Sequence, residues 1–350
     1  MRIAVVSWMM RTLIVIWWSV VIAFFLMVPS LFHYLMPDRS ITVFTWPLLL
    51  DPLYLKNFER ETGITVHIAY FENGAGLLSK LITAQGRGYD LIIPDDHSLE
   101  VLESKGLVKK LDKSKLHFLD SIEPLLQNQY YDPANEYSIP YYWGVYGIGY
   151  NVKKIPELSD SSWQPLFDKE LIARNRVCLS DDPREAIMIA ALYLFGNLEA
   201  LRDVENQKKV VQLLIDQKKY VEVYTSSRAD SLLQNQSCGL ASIMSPEFLR
   251  LGENSNIKMA VPQKDAVIVV DSIAIPKNSK KDDLVYQFLN YLYRPEVVAH
   301  HVKSFGYCSP LKGNEFSYFC PLDRIHDFHF FKEILSDELV NELWVKVLAA

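Results

Sequence analysis

The sequence lacks the signatures that announce catalysis. It has no Gly-x-Ser-x-Gly elbow, no His-Glu-x-x-His and no Gly-rich phosphate loop ending in Lys-Ser/Thr. It also lacks a surplus of positive charge. Lys and Arg number 36 against 42 Asp and Glu, a net charge of −6, and no basic stripe interrupts that balance. Nucleic acid is therefore a poor partner, whereas a mildly acidic surface suits capture of a cation. Cysteine is scarce: Cys178, Cys238, Cys308 and Cys320, with no Cys-x-x-Cys among them. Zinc and thioredoxin-like redox chemistry are poorly served by that spacing. Cys308 and Cys320 could close a loop in an oxidising compartment, and four buried thiols are the plainer alternative. No cofactor and no resident metal are expected.

One further absence is local. Between Arg11 and Asp38 there is no Asp, Glu, Lys or Arg. About 20 apolar residues span a bilayer, and this run exceeds that. Arg2 and Arg11 precede it, which places the N-terminus in the cytoplasm and the rest of the chain outside. Cleavage as a signal peptide near Val28-Pro29-Ser30 competes with retention as an anchor. Either outcome exports the chain, and residues 1–38 are set apart as a membrane anchor or signal segment.

The remaining length is enough for two domains with their own cores. Strands are expected at Ile41–Trp46, Ile64–Ala69 and Asp90–Pro94, alternating with helices at Leu53–Glu61, Leu77–Gln85 and Ser98–Ser104. That alternation predicts an α/β fold with a parallel sheet, and ligands bind at the strand ends of such sheets. Tyr137–Asn151 is too long for one ordinary strand and reads as a segment leaving one domain for the next. A second alternation follows, and the apolar run Val267–Ile275 could cross back. The last helix is expected at Asp337–Leu348.

Two short apolar runs end in acid. Val177-Cys178-Leu179-Ser180 leads into Asp181-Asp182-Pro183-Arg184-Glu185, and Asp271 stands alone inside Val269-Val270-Asp271-Ser272-Ile273. Carboxylates at strand ends could converge on one cleft and hold an organic cation. The plainer reading of Asp182 to Glu185 is a capping box with Pro at the first helical position. For Asp271 it is a pairing with Lys or Arg, or a place at a strand end.

In order and spacing the chain resembles the spermidine/putrescine-binding proteins of bacterial ABC importers. The residues that carry the resemblance are Glu61-Thr62-Gly63-Ile64-Thr65-Val66, Tyr89-Asp90-Leu91-Ile92-Ile93-Pro94, and Lys109-Lys110-Leu111-Asp112. Further on they are Tyr137–Gly144, Leu179–Glu185, Asp271–Pro276 and Gly306-Tyr307-Cys308-Ser309-Pro310. The resemblance implies a two-lobed, hinge-linked binding-protein fold of type II. Lobe 1 would hold residues 39–146 and 272–315, and lobe 2 residues 147–271 and 316–350. It implies a monomeric periplasmic protein, held at the inner membrane by its N-terminal segment, that delivers a polyamine to a permease. No enzymatic activity is expected.

The same resemblance suggests ligand-facing residues. Asp182, Glu185 and Asp271 match positions that receive ligand ammonium groups. Trp46 matches an aromatic lying on the ligand's methylene chain, and Tyr307 matches another cleft residue. The departures are equally specific. Pro47, Leu48 and Leu49 stand where an acid and a tyrosine are usual. His97 replaces a tyrosine, Met244 and Val269 replace tryptophans, and the family's C-terminal glutamine has no clear equivalent near Phe330. Asp95 and Asp96 lie where they can supply the missing acid, or simply cap the helix that follows. His97 would bring pH sensitivity if it lines the cleft. Ferric iron is the nearer rival ligand, with Tyr130-Tyr131, His300-His301, His326 and His329 as candidate donors. A membrane-anchored sensor or hydrolase is the rival from another class.

Overall fold

β1 (Ser40–Thr45), β2 (Thr65–Tyr70) and β3 (Leu91–Ile92) form a parallel set with β1 in the middle. They belong to a computed structural model that describes residues 39–158, 162–225, 228–252, 255–313, 320 and 328–350, with Trp17, Trp18 and Val21. Apart from those three residues, the charge-free run and its candidate cleavage point lie outside the described residues, as does His326. Among the described residues no helix is long and apolar enough to cross a membrane.

The helices between these strands are α1 (Pro52–Thr62), α2 (Gly74–Thr83) and α3 (Asp96–Ser104). Their ends follow local chemistry. Asp51 caps α1 by accepting from Leu53 N–H at 2.8 Å, Pro52 opens the helix, and Gly63 at φ 69° closes it.

β4 (Ser138–Asn151) is one strand of 14 residues, buried throughout. It escapes the usual length limit because it serves two sheets in turn. Ser138–Val145 pairs antiparallel with β9 (Ile268–Ala274), and a register shift falls between Pro140 and Tyr142. From Tyr146 onward its partners are β7 (Leu240–Met244) and β8 (Ile257–Ala260). β5 (Val177–Leu179) and β6 (Val221–Tyr224) complete the second half, parallel to β7. The whole order is β2-β1-β3-β9-β4-β7-β5-β6, with β8 also on β4. The helices of this half are α4 (Lys169–Asn175), α5 (Pro183–Phe195), α6 (Val204–Lys218), α7 (Ala229–Gln234) and α8 (Ser245–Arg250). The chain then returns through α9 (Asp282–Leu292) and α10 (Pro295–Phe305), and α11 (Asp337–Ala349) ends it.

Each half has its own apolar core. Ile41, Val43, Phe58, Ile273 and Phe288 pack in one, and Ile148, Ile187, Val210, Trp344 and Val347 in the other. Besides β4 and the approach to β9, one more segment crosses between them. His329 donates its N–H to Ala266 and accepts from Ile268, so residues 328–331 run beside the start of β9. Phe328 and Phe330 join the apolar cluster of the first half and Phe331 that of the second.

All four cysteines are bonded. Cys308 pairs with Cys320, the pairing the sequence allowed. Cys178 pairs with Cys238 across 60 residues, which replaces the reading of buried thiols. The second pair was hidden because its partners adjoin through β5 and β7, a contact that only the sheet order reveals.

Candidate functional site: an acidic cleft between the halves

Six carboxylates reach the junction of the halves, each from the end or middle of a strand. Asp95 and Asp96 follow β3, Asp182 and Glu185 follow β5, Glu247 follows β7, and Asp271 lies within β9. Their charges act on one another. Asp95 and Asp96 raise Asp271, Asp95 raises Asp182, and Glu247 raises Glu185.

Asp182 caps α5. Its Oδ1 accepts from the N–H groups of Arg184 at 2.8 Å and Glu185 at 3.3 Å, so Oδ2 stays free of both. The capping box is only half formed. The Asp182 N–H donates to Ser180 Oγ at 3.1 Å, and the Glu185 carboxylate accepts instead from the Tyr146 hydroxyl. Glu185 thus faces β4. Burial and the neighbouring Asp182 push its carboxyl up to about 8, against hydrogen bonds from Ser180 and Tyr146. Burial also raises Asp182, against the two backbone N–H groups.

Asp271 is 6% exposed. Burial, then Asp95 and Asp96, hold its carboxyl well above the usual carboxylate range. The Trp46 indole is near enough to favour the charged form but short of hydrogen-bond geometry, so its Nε1 is buried and unpaired. The Trp46 ring packs edge-on against Phe71 at 4.4 Å. Tyr307 stacks on Tyr142 at 5.5 Å, and Asp271 acts on its hydroxyl.

Glu247 was not singled out from the sequence. It is the third residue of α8. Its Oε2 accepts from Met244 N–H at 3.1 Å, while Oε1 is buried without a partner. Burial pushes it up to about 7, against the Met244 N–H and Arg250. A signal was present: Ser-Pro-Glu at 245–247 and Asp-Pro-Arg-Glu at 182–185 both follow a strand with proline in the first turn and glutamate at the third helical position. Met244 itself is half-buried against the core of the second half, as is Val269.

Asp95 and Asp96 divide their work. Asp95 spends both oxygens on Ser98, 2.7 Å to its N–H and 3.0 Å to its hydroxyl, as the cap of α3. Asp96 is fully buried and accepts from the Tyr130 hydroxyl at 2.7 Å and from Val270 N–H at 3.3 Å. Burial and Asp95 push Asp96 up to about 7. His97 engages the opposite half, its Nε2 lying 3.4 Å from Asp337 Oδ1. Leu48 is 55% exposed and at φ 58°.

Among the described residues, none of the six carboxylates is ion-paired to Lys or Arg. Arg184 is engaged by Asp337 at 2.6 Å and Arg250 lies 3.9 Å from Asp230. Buried carboxylates without counter-ions are costly to ionise. A ligand that brings positive charge removes that cost. The candidate iron donors lie apart. Tyr130 is tied to Asp96, His300 lies 2.7 Å from Asp51, His301 meets Tyr141 and Tyr142, and His329 lies 3.2 Å from Asp265. Among the described residues no group of three His, Cys, Asp or Glu is placed to hold a metal.

Residues 54–315 match the bacterial extracellular solute-binding proteins, and the chain belongs to that family. The spermidine/putrescine-binding periplasmic protein of Salmonella typhimurium is 28% identical over 276 residues, covering 78% of each chain. The putrescine-binding periplasmic protein SpuD of Pseudomonas aeruginosa is 30% identical over 279 residues, 75% of this chain and 76% of that one. Among solved structures, the substrate-binding protein PotD of a Streptococcus pneumoniae spermidine/putrescine ABC transporter superposes with a TM-score of 0.76. It is 25% identical and covers 89% of this chain and 98% of that one. The fold is the two-lobed α/β fold of these binding proteins.

Proposed function

We propose that this chain is the extracytoplasmic binding subunit of an ABC importer and that it captures a polyamine of the spermidine or putrescine type between its lobes. The observation that carries the reading is the set of six coupled carboxylates, none paired to Lys or Arg among the described residues. In this reading Asp271 receives one ammonium group. Glu185, Asp182 and Glu247 receive another, with Trp46, Tyr307 and Met244 against the methylene chain. Asp95 contributes field from its capping position.

The pairing pattern supports a hinge-linked type II arrangement. β4 changes partners between Val145 and Tyr146, close to the expected boundary at residue 146. The return crossing falls at Val267–Ile268 and the last at Phe330–Phe331, so among the described residues we assign lobe 1 to 39–145, 268–313 and 328–330. We further read residues 12–37 as an inner-membrane anchor, the folded part as a periplasmic monomer, and the partner as a permease that takes the ligand from the closed form.

Equilibrium dialysis of the full chain against an equal mixture of spermidine, putrescine, cadaverine and butylamine tests this reading. Mass spectrometry of the bound fraction is expected to show one polyamine enriched and chemically unchanged. Enrichment of none, or recovery of a cleaved or oxidised product, contradicts it.

A further inference from the structure

His97 makes its ion-pair contact across the junction. It is the second residue of α3, which packs with the first half, whereas Asp337 opens α11 and Arg184 lies in the first turn of α5, both in the second half. His97 Nε2 stands 3.4 Å from Asp337 Oδ1, and Arg184 Nη2 stands 2.6 Å from the same oxygen. Arg184 is itself fixed, since its guanidinium also donates to the carbonyls of Leu335 at 3.2 Å and Lys332 at 3.4 Å. The His97 ring is 14% exposed and its Nδ1 is buried without a partner. A ring held so deeply for one contact at the far side is placed to hold the two halves together. The same face carries a second crossing contact, Lys332 Nζ over the Tyr130 ring at 5.1 Å.

We propose that His97 and Asp337 form a clasp between the lobes that favours the closed cleft, with Arg184 as the residue that positions Asp337. The inference concerns closure and does not rest on which solute is bound. The groups facing His97 are Asp337 and Arg184 from the opposite lobe, Asp95 from its own loop, and Glu100 one turn along α3; Glu333 in turn faces Glu100. Burial favours neutral His97 and Arg184 assists it. The bond to Asp337, with the charges of Asp95 and Asp337, outweighs both and raises its affinity for a proton. When the lobes part, the ring returns to water and to an ordinary value of about 6.5. Closure therefore takes up a proton at His97. The clasp acts fully below about pH 6.5 and is lost as pH rises through the raised value.

Pulsed electron-spin distances on the ligand-free, full-length chain test this. Spin labels at Lys56→Cys on α1 and Lys209→Cys on α6 report the separation of the lobes. The closed-to-open ratio is expected to fall between about pH 5.5 and about pH 8.5. That fall should be about threefold smaller in His97→Gln, the scale that one weakly linked proton supplies. Asp337→Asn, which keeps an oxygen to accept from Arg184, should lower the ratio at about pH 5.5 by a similar factor. Circular dichroism confirms that each variant is folded. A wild-type ratio that ignores pH, a His97→Gln variant with the full wild-type fall, or an Asp337→Asn variant that closes as readily as wild type overturns the proposal.

Discussion

Asp271 shows how far one residue can be read from sequence. A lone acid inside Val269-Val270-Asp271-Ser272-Ile273 contradicts its surroundings, and such contradictions mark function or pairing. The structure excludes pairing to Lys or Arg among the described residues and leaves the contradiction standing. Glu247 was harder to read. Ser245-Pro246-Glu247 shares the proline-then-glutamate helix start of Asp182–Glu185, and burial of Oε1 without a partner is what sets it apart from an ordinary cap. Glu185 lends itself to a direct test. Its carboxyl is raised from 4.5 to about 8. A group raised on folding contributes stability that is present below its unfolded value and lost as pH rises through the folded one. The ligand-free protein should therefore lose stability between about pH 5 and about pH 9. Glu185→Gln keeps an acceptor for Tyr146 and should remove roughly 1–3 kcal/mol of that loss. Urea denaturation at the two ends of the range measures it. An unchanged slope with pH would show that Glu185 is ionised in the empty cleft.

At the scale of elements, the first three strands and their helices were legible because their apolar runs are bounded by strong breakers such as Gly63 and Gly106. β4 was half legible. Its length announced a crossing, but its unity as one strand depends on a partner change that sequence does not display. Its entrance is fixed by Asp132, which is buried and accepts from the N–H groups of Glu136, Tyr137 and Ser138 and from the Ser138 hydroxyl. Its passage into the second half depends on glycine. A Cβ at Gly147 would meet the Ala260 carbonyl oxygen at 2.6 Å, and β8 cannot retreat without breaking its ladder to β4. Gly147→Ala should destabilise the protein by about 1–3 kcal/mol, as overpacking does. Thermal unfolding checks this, and a wild-type midpoint would mean that β8 yields freely. β8 and α8 were themselves missed. They are short, four and six residues, so neither shows a full period of its pattern.

For the whole molecule, the two-lobed plan was legible because each half repeats the strand–helix alternation around its own core. The third crossing was implied by the resemblance between residues 315 and 316, but its place at Phe330–Phe331 was not legible. Residues 328–331 carry no strand pattern, and their place is set by one bridge to Val267 and by phenylalanines divided between two cores. The Cys178–Cys238 bond is likewise a property of the sheet order. The departures at Leu48, Val269 and Met244 gain meaning at this scale. Leu48 stands in the stretch where an acid is usual, while Glu247 and the Asp95–Asp96 pair keep both sides of the cleft acidic.

In the proposed function these buried and half-buried carboxylates meet ligand ammonium groups. Calorimetric titration of spermidine and putrescine into the full chain and into Asp271→Asn tests it most directly. Saturable one-site binding of at least one of them to the wild type is expected. The variant should lose about 100-fold or more in affinity, the scale of about 3 kcal/mol expected when a buried ammonium loses its partner. Equal affinity in the two proteins would contradict it.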